Sequence, residues 1–426
     1  MFTVITLAFL AFMVLGVPIA IAMGLAGFTA MLIRGDIPLE IAAQRFVTGT
    51  DSFTLLAMPF FILAGHLMNA GGITERLVGL ANALVGHFRG GLAQVNVVAN
   101  MIMAGMSGSA AADAAGSGAV LIPAMTRSGY SPAFAAAVTA AASTVGPIIP
   151  PSIPFVVYGV MTGASIGQLF LGGAVPGVLC GLYFMVVVYF IAKKRDYPKG
   201  DKATFKSVLI ALKDGVPAMM MPVIITWGIV GGIVTPTEAA VLAVVYALFL
   251  GTVVYRKLTL AATVKVFGEA ALTTGTVLFI FAGASLLNWI LTREQAGPAL
   301  VSFVTSITTE RSVIILALII ILLILGCFLE GLSLLILMVP VLMPLLSALN
   351  MDLVHFGVVM VVTLMVGSIT PPVGMSMFIG CAIAKIRVVD FAREIPLFVL
   401  AMVAVVLTIA YIPEIVLFLP KLLMGK

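Results

Sequence analysis

The sequence predicts an all-α, polytopic membrane protein built from inverted repeats, each with one helical hairpin and one broken helix. Three observations carry this. First, 62% of the residues are apolar and only 9% are charged, against about 25% charged in a soluble domain. With a mean hydropathy of +1.25, the chain lacks the polar surface needed to face water. Second, apolar stretches of roughly 20 residues, enough to span a bilayer, recur along nearly the whole chain. The length of 426 residues then accommodates about ten to twelve spanning or re-entrant helices in a single membrane domain, residues 1–426. Lipid cannot satisfy open backbone groups and no barrel-like alternation is present, so the spans are helices. Third, the chain repeats itself, and both copies are interrupted at the same place.

The opening run MFTVITLAFLAFMVLG has no Lys or Arg before Arg34. It lacks the basic start of a cleaved signal and reads as the first spanning helix. Residues 193–214 form the most polar stretch, with Lys193, Lys194, Arg195, Lys199, Lys202, Lys206 and Lys213. Basic loops stay in the cytoplasm, which places this connector there. It separates a first repeat, residues 55–192, from a second, residues 274–420. GPIIPPSIPFVVYG at 146–159 matches GSITPPVGMSMFIG at 367–380, paired prolines included. LIP at 121–123 matches LMP at 342–344, and FILAG at 61–65 matches FIFAG at 279–283. Basic residues swap sides between the copies. Arg127 follows the first hairpin, whereas Lys385, Arg387 and Arg393 follow the second broken helix. That swap is the signature of inversion.

A Gly-Pro-Pro interruption removes backbone hydrogen bonds and stops a helix at membrane depth. The resulting half-helices present free carbonyls or amides to ions and carboxylates. The interruptions are residues 146–152 and 367–374. Each is preceded by a polar tip, MSGSAAAD at 106–113 and CFLEGLS at 327–333, set between apolar arms as in a helical hairpin. Hydroxyls and tip carbonyls are the hard oxygen ligands that an alkali cation needs. Ser109 and Asp113 are four apart and share a helix face, although small residues such as Ser107 and Ser109 also fit close helix packing. Asp113 and Glu330 are ionisable groups inside membrane segments, where they are costly. Asn96 and Asn100 lie on one hairpin arm and suit hydrogen bonds between helices.

Other features carry less. The net charge of +5 sits in loops without a basic helix face or aromatic platform, so no nucleic-acid partner is expected. Cys180, Cys327 and Cys381 are far apart in apolar runs and read as packing residues. Thr235-Pro-Thr-Glu238 reads as a helix capping box. No histidine stands beside a nucleophile or carboxylate as an intramembrane enzyme would require.

The runs GVPIAIAMGLAG (16–27), AMPFFILAGHLMNAGGI (57–73), MSGSAAAD (106–113), GPIIPPS (146–152), TPTEAA (235–240) and GSITPPVGM (367–375) span nearly the entire chain. Together they resemble the large membrane subunit of tripartite ATP-independent periplasmic (TRAP) transporters. The resemblance implies a multi-pass protein of the bacterial inner membrane with the ion-transporter superfamily fold. It implies two partners, a small four-helix membrane subunit and a periplasmic substrate-binding protein. It also implies uptake of a C4-dicarboxylate, sialic acid or similar organic acid, with sodium as the coupling ion and no further cofactor. Carried onto this chain, the sodium ligands are Ser107, Gly108, Ser109, Thr144 and Gly146 in the first half. In the second half they are Glu330, Gly331, Ser333, Gly367 and Thr370. Substrate lies between the tips, near Asp113, Pro150, Pro151, Ser152, Pro371 and Pro372. The expected mechanism is an elevator, in which both hairpins and both broken helices slide against a fixed scaffold. A stand-alone sodium–carboxylate symporter of the same superfamily is the alternative.

Overall fold

The computed structural model describes residues 2–200 and 202–425. The first half runs α1 (Phe2–Val14), α2 (Ile19–Arg34), α3 (Glu40–Thr48), α4 (Ala57–Ala70) and α5 (Ile73–Val85). Hairpin 1 follows as α6 (Gly91–Ser107) and α7 (Ala110–Arg127), then a broken helix as α8 (Pro132–Ser143) and α9 (Ile153–Thr162), then α10 (Ile166–Lys194). Beyond the connector come α11 (Phe205–Val230), α12 (Pro236–Phe249), α13 (Leu260–Arg293) and α14 (Ala296–Ile307). Hairpin 2 is α15 (Arg311–Gly326) and α16 (Gly331–Ala348). The second broken helix is α17 (Leu353–Gly367) and α18 (Met375–Ala384), followed by α19 (Val388–Ala392), α20 (Pro396–Tyr411) and α21 (Pro413–Met424).

Helix starts follow local chemistry. The side chains of Ser131, Ser152, Ser165, Thr204, Thr259 and Asp352 each accept a first-turn N–H, which is what an N-cap provides. The capping box read from TPTEAA is present: Thr235 N–H donates to Glu238 Oε2 at 2.7 Å and Glu238 N–H to Thr235 Oγ1 at 3.3 Å. The opening run forms α1, which at 13 residues is shorter than the roughly 20 that a span needs. Gly16, at φ +78, turns the chain between α1 and α2, and the two helices pack on each other.

Among the described residues, six helices are long and apolar enough to cross a membrane, seven if α20 and α21, bent by 63°, count as one span. The shorter apolar helices include both halves of each broken helix. α13, at 34 residues, runs about 51 Å, well beyond a hydrocarbon core of about 30 Å.

The two halves interlock. α18 packs on α7 and α8 of the first half, and α9 packs on α16 and α17 of the second. Each broken helix therefore begins in its own half and ends against the other half's hairpin. Small residues permit this approach. Gly357 on α17 lies under the Tyr158 ring of α9, where a Cβ would come within 2.4 Å of a ring carbon. Both Asn96 and Asn100 are fully buried and bond across helices: Asn96 Nδ2 donates to Thr139 Oγ1 at 2.6 Å, and Ser117 Oγ to Asn100 Oδ1 at 3.1 Å.

The connector's first residues are strapped to the base of hairpin 1. Gly200 N–H donates to Gly86 O at 3.0 Å, and Arg89 and Lys199 form an antiparallel bridge. Tyr197 stacks on Tyr130 with ring centroids 4.4 Å apart, and Arg195 pairs with Glu394 at 2.8 Å. The strap thus joins α10, hairpin 1 and the start of α20 at one membrane face.

The Tyr158–Gly357 contact makes a test of the interlock. Gly357→Ala should lower stability by about 1–3 kcal/mol, the usual cost of overpacking, seen as a lower unfolding midpoint in detergent. Gly268→Ala on α13, where nothing lies within 4 Å of the new Cβ, should hold or raise the midpoint, because Ala favours a helix over Gly by about 1 kcal/mol.

Candidate functional site

Each hairpin tip is seated on the break of its own half. α6 ends at Ser107 and α7 starts at Ala110, so tip 1 is only Gly108 and Ser109. Gly108 has φ +59, and a Cβ there would meet Pro151 O at 2.8 Å. Glycine is therefore required twice over, for the left-handed turn and for the close approach to the first break. Tip 2 is residues 327–330. Cys327 O accepts Val373 N–H of the second break at 3.1 Å. Gly326 backbone abuts Gly367, where a Cβ would fall 2.4 Å from Gly326 O.

This seating brings helix ends together in opposite senses. α6 and α8 end at the first tip and break, and α15 and α17 end at the second. Helix C-termini carry partial negative charge. Most of the last carbonyls of α8, α15 and α17 accept one N–H from the following turn, which leaves a second lone pair on each. Each pair therefore forms a cradle suited to a cation. The N-termini of α7, α9, α16 and α18 begin at the same places, but each is already capped. Ser109 Oγ accepts Ala112 N–H, Ser152 Oγ accepts Phe155 N–H, and Glu330 Oε2 accepts Ser333 N–H at 2.9 Å. On α18, Ser368 O takes the N–H groups of Ser376 and Met377 at 3.1 and 3.3 Å. Only the amides left over in these first turns remain for an anion.

Two cavities adjoin the tips. The larger, about 500 Å³, has on one wall Ser107 and Ser109 at tip 1 and, at tip 2, Glu330 with Ser333 in the first turn of α16. Its other wall is α4 and α13, with His66, Thr273 and Thr276. The smaller, about 90 Å³, lies between the tips and the breaks and touches Gly108, Ser109, Glu330, Gly331, Gly367 and Ser376. The larger volume falls within the roughly 300–1,000 Å³ typical of small-molecule sites.

Seven of the residues singled out from the sequence (Ser107, Gly108, Ser109, Glu330, Gly331, Ser333 and Gly367) therefore line one cavity or the other. The rest sit behind them. Asp113 lies in the first turn of α7, not at the tip. It is fully buried with neither oxygen hydrogen-bonded, Ser107 is close by, and its Oδ2 would be 2.3 Å from a Cβ on Gly146. It faces the first cation cradle rather than either large cavity. Thr144 is fully buried, its hydroxyl donating to Ala141 O at 2.6 Å. Thr370 Oγ1 donates to Val366 O at 2.7 Å. Pro150, Pro151 and Ser152 are buried, Pro371 is half-buried and Pro372 is exposed. These prolines shape the breaks, and both Pro-Pro peptide bonds are cis. None of the four contributes to either cavity wall.

Sequence reading missed Ser368 and Ser376, which sit inside the quoted GSITPPVGMSMFIG motif, and the α4–α13 wall. His66 lies in the AMPFFILAGHLMNAGGI run. Thr273 and Thr276 give no motif, only a three-residue spacing on a long apolar helix.

The family model for the tripartite ATP-independent periplasmic transporter, DctM component, matches residues 6–415. The sialic acid TRAP transporter large permease protein SiaM of Vibrio cholerae is 42% identical, over 96% of both chains. The 2,3-diketo-L-gulonate TRAP transporter large permease protein YiaN of Escherichia coli is 37% identical, over 94% of this chain and 95% of its own. Among solved structures, MtrF of Neisseria gonorrhoeae, from a class of antimetabolite efflux pumps, superposes with a TM-score of 0.61 at 14% identity, covering 87% of this chain and 83% of its own. That likeness is one of fold. The chain is a multi-pass membrane protein and a transport component rather than an enzyme. It belongs to the DctM component family of tripartite ATP-independent periplasmic transporters, as a large permease subunit.

Proposed function

We propose that this subunit imports a small organic acid across the bacterial inner membrane, driven by sodium. A periplasmic substrate-binding protein delivers the acid, and a small four-helix membrane subunit works beside it. The observation that carries the reading is the pair of cation cradles, each made of two helix C-termini and a hairpin tip, flanking a cavity of about 500 Å³. Sodium bound at the cradles holds the tips closed and links its downhill entry to the uphill movement of cargo. The relatives SiaM and YiaN are named for sialic acid and 2,3-diketo-L-gulonate, both organic acids, which supports an organic-acid cargo here. Asp113, facing Gly146 from beneath tip 1, lies better placed to balance the charge of the ion than to touch the cargo.

Sodium titrated against potassium and choline at fixed ionic strength should raise the unfolding midpoint of the purified protein. At a hundredfold excess over the dissociation constant the stabilisation is about 2.7 kcal/mol. Ser109→Ala should weaken the shift; an equal response to all three cations would remove sodium from the scheme.

The elevator reading has its own test. Gly297 on α14 touches Pro344 on α16, where a Cβ on Gly297 would lie 3.0 Å from Pro344 Cβ. A disulfide between Gly297→Cys and Pro344→Cys ties hairpin 2 to α14 and should abolish uptake, with recovery on reduction. Full uptake with the crosslink complete would rule out sliding at that contact. Uptake that needs no binding protein would instead favour the stand-alone symporter.

A further inference from the structure

The α4–α13 wall of the larger cavity is apolar, with Ile62, Val277 and Ile280, except at His66, Thr273 and Thr276. The two threonines continue a line along α13. Lys265, Glu269, Thr273 and Thr276 are spaced four, four and three residues apart, which puts them on one helix face. Glu269 reaches Lys265 at 3.8 Å and, across to α4, His66 at 3.9 Å. Both contacts are long and Glu269 is 50% exposed, so they are weak and exchangeable. α11 leaves the connector and α12 packs back along it, so the start of α13 lies on the connector side. The line therefore runs from that face to the hairpin tips. Thr273 and Thr276 line the cavity, each hydroxyl donating to the carbonyl four residues back. The ionisable Lys265 and Glu269 beyond them belong against water rather than lipid.

We propose that this face of α13, with His66, is the fixed lane along which the organic acid passes between the hairpin tips and the connector side of the membrane. Lys265 receives its carboxylate as a cation and His66 as a hydrogen-bond donor, and Glu269 occupies both groups while the lane is empty. The proposal rests on the organic-acid reading above. An arriving carboxylate replaces Glu269 like for like, so one weak pairing is exchanged for another and the cargo is not trapped. The tips bind cargo during transit; the lane receives it at release.

The test uses the full chain with its partner subunits in proteoliposomes, with Cys180, Cys327 and Cys381 replaced by Ala, and radiolabelled sialic acid and succinate as probes. Thr276→Cys should react with a membrane-impermeant maleimide from the connector side, and more slowly under saturating probe. Ile320→Cys, on the exposed apolar flank of α15, should not react from either side. A His66→Ala/Lys265→Ala double variant should lose at least tenfold in maximal rate with its unfolding midpoint unchanged, and Glu269→Gln should lower KM severalfold. Failure of Thr276→Cys to label from the connector side, or a wild-type rate in the double variant, would overturn the lane. If the wild-type protein moves neither probe nor any other carboxylate, the organic-acid reading fails, and the lane fails with it.

Discussion

The rest of the structure depends on one constraint: a backbone carbonyl or amide left unpaired in lipid costs several kcal/mol. This chain interrupts helices at four places inside the membrane, two hairpin tips and two breaks. It can do so because each tip is seated on the break of its own half, and because side chains and carbonyls cap the four new helix starts. The contact is made by backbone, at Gly108 against Pro151 and at Gly326 against Gly367. Glycine at these points lets two interrupted chains approach closely enough to bury each other's ends. Four helix C-termini, α6 and α8 at one spot and α15 and α17 at the other, are thereby gathered inside the protein, and their negative ends are concentrated there.

The interlock of α9 and α18 extends this logic to both hairpins and both broken helices. Because each broken helix ends against the opposite half's hairpin, neither hairpin can shift far without its partner. The strap from Arg195 to Gly200 adds α10 and α20 to the same unit at the connector face. A body joined this way moves rigidly if it moves at all. That suits the elevator proposed above, in which the site is carried whole past α4 and α13.

Much of this was legible in the sequence, for identifiable reasons. The matched Gly-Pro-Pro runs, the tips and the capping box at Thr235 are local chemistry, and local chemistry survives in sequence. The small residues that shape the tips, Gly108 and Gly331, are legible for the same reason. Asp113 was harder. Its position four residues after Ser109 suggests a tip residue, but α6 continues through Ser107 and the tip shrinks to two residues, leaving Asp113 in the helix beneath. The opening apolar run reads as a full span, and the structure ends it at Val14 as a 13-residue helix before the turn at Gly16. The α4–α13 wall was not legible at all. His66 and Thr276 are 210 positions apart, and nothing in a helix-period pattern says which face of α13 meets a cavity.

The two breaks are alike in their paired prolines and unlike in the chemistry that follows them. In the first break Ser152 Oγ donates to Pro147 O and accepts Phe155 N–H, and the segment is almost wholly buried. The position matching Ser152 in the second break is Val373, 46% exposed, and the position matching Phe155 is Ser376. Ser376 adjoins the smaller cavity, and its buried hydroxyl has no partner. A buried hydroxyl without a partner costs on the order of 1–3 kcal/mol, so it is not what a purely structural break would retain. One break is saturated and closed; the other carries an unmet hydrogen bond and an open edge. A sodium ion is spherical and can be held by the same backbone cradle twice. An organic acid has a charged end and a different remainder, and a strictly two-fold site would treat its ends alike. On the organic-acid reading proposed above, the departure from symmetry at Val373 and Ser376 is what would tell the two ends of the cargo apart.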